Sequence, residues 1–267
     1  GESLGVVTGA MNAGNVIGSA TVAAIFFAGI GWFGIADKVV LYNIVWVLIC
    51  LLLFASFLCT LFCKIDVKDV KRPRLYYNRK YGKFYVLELF YGARKQIFIT
   101  FAPYVLILNY GMDTTTMALL VGVCALVNIF CAPLIGKLTD RIGYRNIMIF
   151  DTVILFFVCI TYGYANRMFT YSVAYAVVCV NFLLDAVIST TAMATSMYVR
   201  DISDSAEEVT ATLTTGISIN HLISILAALA GGWVWQKFGV GVLFSFSAVM
   251  ALANSAFAML IPRKQET

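Results

Sequence analysis

Residues 39–63 decide the class of this protein, and they read VVLYNIVWVLICLLLFASFLCTLFC. This stretch of 25 residues contains no charged side chain. About 20 consecutive apolar residues are enough for a helix to cross the hydrocarbon core of a bilayer. The stretch therefore predicts a transmembrane helix.

The composition of the whole chain agrees with this stretch. Of 267 residues, 61% are hydrophobic and only 12% are charged, and the mean hydropathy is +0.88. Soluble domains are about 45–50% apolar and about 25% charged. A chain with so little charge cannot cover a water-exposed surface, which argues against a soluble enzyme, a nucleic-acid-binding protein and a disordered chain. The expected class is a polytopic membrane protein in the lipid bilayer, with no nucleic-acid partner.

Apolar segments of similar length recur along the chain. They are continuous runs without a strict two-residue alternation, which favours transmembrane helices over the strands of a membrane barrel. Backbone hydrogen bonding in lipid permits only these two architectures. The sequence therefore predicts an all-α membrane protein, a bundle of eight transmembrane helices. The predicted spans are 4–34, 39–63, 84–110, 114–135, 146–165, 169–198, 209–235 and 241–261.

The basic residues give the orientation. If the chain crosses at every segment, fourteen lysines and arginines lie on one side, and only Lys38, Arg167 and Lys237 lie on the other. The positive-inside rule places the richer side in the cytoplasm, so the loops 64–83 and 136–145 are predicted to be cytoplasmic, in a plasma (inner) membrane protein. The fourteen are Lys64, Lys68, Lys71, Arg72, Arg74, Arg79, Lys80, Lys83, Lys137, Arg141, Arg145, Arg200, Arg263 and Lys264.

The cysteines and the loops show no pattern typical of a cofactor. The seven cysteines lie in or at the edge of apolar segments, and their spacings match no metal-binding motif. No nucleotide-binding loop is present either, so an ion gradient is the expected source of energy. We therefore expect no metal and no cofactor.

The loop after the fourth segment, Gly136–Arg145, reads GKLTDRIGYR. Gly136 would let two helix ends approach closely, and Gly143 would permit a tight turn that a side chain resists. Asp140 can lie near a helix N-terminus and accept hydrogen bonds from Arg141 or Arg145. The alternative is a charged loop that merely follows the positive-inside rule.

This loop resembles the cytoplasmic loop signature of the major facilitator superfamily, G-x-L-x-D-R-x-G-R-R. Tyr144 departs from the basic residue that the signature has at its position. The resemblance implies a cytoplasmic gate at the matching positions and two six-helix halves joined by a long basic loop. The matching positions are Gly136, Leu138, Asp140, Arg141, Gly143 and Arg145.

The resemblance also implies a domain organisation. Residues 1–63 would be the last two helices of the N-terminal bundle, 64–83 the basic central loop, and 84–267 the complete C-terminal six-helix bundle. The first four helices of the superfamily would then be missing from this chain. By this count Arg94 and Asp185 lie on the seventh and tenth helices, which line the central cavity in the superfamily.

Several ionisable residues lie within the predicted membrane segments, where charges are costly and suggest function. Arg94 and Lys95 either lie deep in the bilayer or extend to the cytoplasmic headgroups, depending on where their helix begins. Glu88, seven residues before Lys95, shares its face and offers a structural ion pair as an alternative. Gln96 is a weaker candidate, since a glutamine here more often donates between helices.

Asp185 is predicted to lie near the middle of the membrane, with Asn181 one turn before it on the same face. A substrate, proton or charge-pair role competes with a purely structural contact. His221, the only histidine, is also predicted to lie near the middle, beside Asn220. Its pKa range suits proton coupling, but a simple interhelical hydrogen bond is the alternative.

These patterns together favour a secondary active transporter that moves a small solute by alternating access. The expected partners are a polar or anionic substrate and a proton or sodium ion, in symport or antiport, with the protein acting as a monomer. A membrane-embedded enzyme is a rival, although common hydrolase motifs are absent from the sequence; a non-transporting receptor or scaffold is another. Since buried charges need partners, we expect Asp185 within about 8 Å of Arg94 or Lys95.

Overall fold

The computed structural model describes residues 2–62 and 75–262, with side chains from residue 11 onward. Most of the basic loop 64–83, together with Arg263 and Lys264, lies outside the described residues. The described residues form α-helices, two short 3-10 turns and their connections, which confirms the predicted all-α class. The helices are α1 Glu2–Gly31, α2 Lys38–Phe62, α3 Gly82–Tyr110, α4 Thr114–Ile142, α5 Tyr144–Met168, α6 Tyr171–Ser189, α7 Met193–Ile202, α8 Ala206–Phe238 and α9 Val240–Ala258.

Seven helical segments in the described residues are long and apolar enough to cross a membrane, with α6 and α7 counted as one. The predicted segment that is not among these seven is 84–110, which corresponds to α3, a helix of 29 residues. Its Glu88, Arg94 and Lys95 make it less apolar than the other segments. The predicted helical membrane bundle is thus confirmed, and α3 carries these three predicted candidate residues.

One predicted boundary is wrong, at the end of α4. This helix continues to Ile142 instead of ending at residue 135, so most of the loop motif is helical. Only Gly143 separates α4 from α5, and its φ of 83° lies in the region that side chains rarely adopt. The helix continues because nothing between residues 136 and 142 breaks it.

The predicted span 169–198 is also not continuous. A 3-10 turn, Thr190–Ala192, separates α6 from α7. The hydroxyls of Ser189, Thr190 and Thr191 each donate to the carbonyl three residues earlier, at 2.6–2.7 Å. Hydroxyls that bond to their own helix in this way bend it, and 3-10 geometry within a helix marks such a point.

The chain divides into two compact units, residues 1–72 with 113–123, and residues 73–112 with 124–267. In the first unit, α1 packs against α2. The rings of Phe26 and Tyr42 meet edge to face at 5.0 Å, and the Tyr42 hydroxyl lies 2.7 Å from the Thr114 hydroxyl. The domain boundaries implied by the family resemblance stay a prediction.

In the second unit, α5 packs along α9 and against α6, while α3 packs along α8 and α9. Phe98, Tyr162 and Phe244 join α3, α5 and α9, with ring centroids 4.8–5.4 Å apart. The Tyr162 hydroxyl donates to the Ala102 carbonyl at 2.7 Å, which satisfies a polar group inside this core. This core fixes α3 beside α5.

The described end of the basic loop is attached to the same unit. The Tyr76 amide donates to Thr215 at 2.9 Å, and the Tyr76 hydroxyl donates to Glu208 at 2.8 Å. Lys80 forms an ion pair with Asp204 at 2.7 Å, and this hydrogen bond raises the pKa of the Lys80 amine. The chain therefore enters α3 from a fixed position.

Close packing of α3 on α8 depends on Gly92. A Cβ at this position would lie 2.8 Å from the Asn220 backbone oxygen, and the Ser224 hydroxyl donates to the Gly92 carbonyl at 3.2 Å. Small residues permit this close approach between membrane helices.

We expect Gly92→Ala to destabilise the protein by about 1–3 kcal/mol, because the backbone of α8 must move away. Gly232→Ala on α8 is the matched control, since its Cβ would meet nothing within 4 Å. Thermal unfolding in detergent measures both variants. Equal melting temperatures for the two variants would show that the approach at Gly92 does not limit packing.

Candidate functional site

The centre of the candidate site is an ion pair between α3 and α6. Arg94 lies twelve residues after Gly82, about 18 Å along α3, and only 2% of it is exposed. Its Nη1 donates to Oδ1 of Asp185 at 3.3 Å. The predicted proximity is confirmed, because Arg94 is buried and bonds to another helix instead of extending to the headgroups.

An aromatic ring on α3 lies beneath the two adjacent cations. The Arg94 guanidinium carbon lies 5.0 Å from the centroid of the Tyr91 ring, and Nζ of Lys95 lies 5.7 Å from it. Cations at this distance are attracted to the ring face. Tyr91 was not predicted as a site residue. Its position one turn before Lys95 places both residues on the same face of the helix, and this spacing could have identified it.

A second carboxylate, Asp151 on α5, lies in the same cluster and was also missed. It contacts the hydroxyl of Thr191 in the 3-10 turn, and the Arg94 charge acts on it. Its Oδ1 is buried and accepts no hydrogen bond within the described part of the chain, and the buried Nε of Arg94 donates none there. The sequence feature that could have identified Asp151 is a carboxylate inside an apolar segment. Arg145 lies only six residues before it, so Asp151 resembled a residue at the end of that segment.

Glu88 links α3 to α7 and α8. Its Oε2 accepts from Nδ2 of Asn220 at 3.1 Å, and its Oε1 lies 3.4 Å from the Thr195 hydroxyl. The Lys95 charge also acts on it. Glu88 and Asn220, both predicted candidates, are thus brought together.

The remaining candidates lie apart from these contacts. Gln96 donates to Thr100 on its own helix at 2.7 Å, and Asn181 donates to Thr161 of α5 at 2.7 Å. His221 is exposed on the surface of the second unit. Adjacent residues of a helix point about 100° apart around its axis. Because Asn220 points towards Glu88, its neighbour His221 points away from it.

The glycines of the loop motif behave differently from each other. A Cβ at Gly136 would lie 3.7 Å from Sδ of Met193, which is an ordinary contact, so the expected close approach of helix ends there is wrong. Gly143 does form the predicted tight turn, at positive φ.

The charged motif residues do not bond to each other in this conformation. Asp140 lies in the last turn of α4, not at a helix N-terminus, and like Leu138 and Arg141 it is exposed. Arg145 instead donates from Nη2 to the Met259 carbonyl at 2.7 Å, beyond the end of α9. The predicted pairing of Asp140 with Arg141 or Arg145 is therefore wrong for this conformation, because Arg145 caps another helix.

The comparison with known families agrees with the architecture. The family model for the Major Facilitator Superfamily matches residues 1–199 and 84–267. The chain belongs to the major facilitator superfamily. No curated protein and no solved structure matches it significantly. It is therefore an integral membrane protein and a transporter of small solutes.

Among the described residues, no group of three or more histidine, cysteine or acidic side chains could hold a metal ion.

Proposed function

We propose that this protein is a secondary active transporter that moves a polar or anionic solute by alternating access, driven by a proton or sodium gradient. The observation that carries the proposal is the buried pair of Arg94 and Asp185, which joins two membrane helices. Charges at this depth are expensive, and membrane proteins that retain them use them on substrate or ion pathways. In this proposal the protein acts as a monomer in the plasma membrane, with residues 64–83 and 136–145 on the cytoplasmic side.

The solute class follows from Arg94. A guanidinium is a fixed cation with a planar set of donors that suits carboxylate or phosphate oxygens. Its Nε is buried and has no acceptor among the described residues, so donor capacity remains. An anionic group of the solute would compete with Asp185 for Arg94. This exchange would loosen the contact between α3 and α6.

The other polar side chains around the pair would contact the solute or the coupling ion. Lys95 adds positive charge beside Arg94, while Glu88 and Asn220 join α3 to α8. Gln96, Asn181 and His221 stay candidates for contacts in another conformation. Alternating access would open this site to one side of the membrane and then to the other, as in other transporters built from repeats.

Transport is tested in proteoliposomes made with the full-length protein. A panel of radiolabelled amino acids, sugars and organic acids is offered under an inward proton gradient, and then under a sodium gradient. We expect one class to accumulate, with accumulation lost when an ionophore collapses the gradient. Protein-free liposomes are the control. No accumulation and no counterflow for any member would favour a receptor or scaffold, and chemical conversion of a solute would favour an enzyme.

A further inference from the structure

The hydroxyl of Thr191 has one hydrogen and lies within hydrogen-bonding distance of two oxygen atoms. Its Oγ1 lies 2.7 Å from the Ile188 carbonyl and within hydrogen-bonding distance of Oδ2 of Asp151. A carbonyl can only accept, and an ionised carboxylate can only accept, whereas a threonine hydroxyl has one hydrogen. If that hydrogen serves the carbonyl, the hydrogen between Thr191 and Asp151 belongs to the carboxyl group.

The charge balance of the cluster gives the same result. Two cations, Arg94 and Lys95, lie near three carboxyl groups, Glu88, Asp151 and Asp185. One bound proton makes this set neutral, and an unbalanced charge at this depth is costly.

The three carboxyl groups differ in their partners. Asp185 contacts Arg94 at 3.3 Å, an attraction that exists in full only while its carboxyl group carries a charge. Glu88 accepts an N–H bond from Asn220 at 3.1 Å, and its contact with Thr195, at 3.4 Å, is long. Asp151 has only the hydroxyl of Thr191 as a side-chain partner among the described residues, so the proton fits best on Asp151.

Few other ionisable groups face Asp151. From α3 these are Arg94 and Tyr91, and from α6 Asp185, which shares Arg94. The helix packed along α5, α9, has no ionisable side chain in Val240–Ala258. The ionisable residues of α7, which are Tyr198, Arg200 and Asp201, lie seven or more residues beyond Thr191.

We propose that Asp151 holds a proton in this conformation, donates it to Thr191, and on releasing it competes with Asp185 for Arg94. On release, the Oδ2–H bond breaks, its electron pair stays on the carboxylate, and the proton passes to water. The new anion attracts Arg94, whose Nε is free of acceptors within the described chain. Proton release would thus weaken the pair that holds α3 to α6. The role of proton release in transport rests on the proposed function. The presence of the proton on Asp151 does not depend on that function.

Infrared difference spectroscopy after a jump to high pH tests the stored proton, in nanodiscs and without any solute. We expect the wild type to lose the C=O band of one protonated carboxyl group, and Asp151→Asn to show no such loss. Glu88→Gln is the matched control. It removes one negative charge from the set, so the half-loss should move to lower pH, but the band change itself should remain when the jump starts from low pH, because the carboxyl group of Asp151 is still present. Asp185→Asn should shift the half-loss to lower pH by at least about one unit, a tenfold change in proton affinity, because Arg94 is then free to attract Asp151.

If Asp151→Asn does not fold, the variants Thr191→Val and Thr191→Ser test the same inference. Thr191→Val removes the acceptor and should move the band to higher frequency, whereas Thr191→Ser should leave it in place. An unchanged band in Asp151→Asn or in Thr191→Val, or its loss in Glu88→Gln, would overturn the inference. A band that behaves as expected in a protein that moves no solute would overturn the proposed transport alone.

Discussion

Arg94→Gln is expected to abolish accumulation of the solute and to destabilise the protein by about 3–5 kcal/mol, because it leaves the Asp185 carboxylate buried without its partner. Lys95→Gln is the matched control. It makes the same change of charge on the next residue, which is partly exposed and forms no ion pair among the described residues. We expect Lys95→Gln to fold like the wild type and to lose less uptake than Arg94→Gln, because Lys95 adds charge to the site but holds no carboxylate in an ion pair among the described residues.

Charge reversal shows whether the attraction between Arg94 and Asp185, and not merely the shape of their side chains, stabilises the protein. Arg94→Glu places two carboxylates where the pair stood, so it should be more damaging than Arg94→Gln. Adding Asp185→Arg restores opposite charges and should recover part of the melting temperature, although not the uptake, since the solute would meet a reversed pair. The measurements are thermal unfolding in detergent and initial uptake in proteoliposomes. A folded Arg94→Gln protein with normal uptake would contradict the proposed site.

The membrane segments could be predicted because lipid imposes a simple requirement. A helix that satisfies its own backbone in hydrocarbon needs a long apolar run, and such runs are visible in the sequence. The end of α4 was predicted wrongly for the converse reason. Residues 136–142 are polar enough to leave the membrane, but polarity does not end a helix, and the helix ends only where Gly143 takes a positive φ.

The candidate site was predictable where a single residue carried the signal. Asp185 and Arg94 were identified because each is a costly charge within an apolar segment. The rotation of a helix about its axis was not predictable, because it depends on packing. The approach of α3 to α8 at Gly92 brings Asn220 to Glu88 and leaves His221 exposed, and no property of either side chain reveals which one faces inward.

Asp151 shows a different reason for failure. It lies six residues after Arg145, so a carboxylate near the end of its segment could equally reach the headgroup region. Its role became visible only when the 3-10 turn placed Thr191 against it. That turn depends on consecutive hydroxyls bonding to their own backbone, a local effect that hydropathy does not report.

Asp140→Asn is expected to reduce uptake at least about tenfold, which corresponds to roughly 1.4 kcal/mol in an activation barrier, while leaving the melting temperature unchanged or slightly higher. Asp140 is exposed in the last turn of α4. A carboxylate near a helix C-terminus is unfavourable by about 0.3–1 kcal/mol, so the amide should not destabilise this fold. A loss of uptake without a loss of stability would then come from a conformation in which Asp140 has a partner.

Asp113→Asn provides the control at the opposite end of the same helix. The Asp113 carboxylate accepts from the Thr115 and Thr116 amides at 3.1 and 3.3 Å, and from the Thr116 hydroxyl. These hydrogen bonds hold the pKa of Asp113 below its ordinary value. Asparagine caps a helix about as well as aspartate, so this variant should keep both stability and uptake. Equal uptake by Asp140→Asn and Asp113→Asn would show that the charge at position 140 takes no part in switching, because only that position lies in the motif shared with the family.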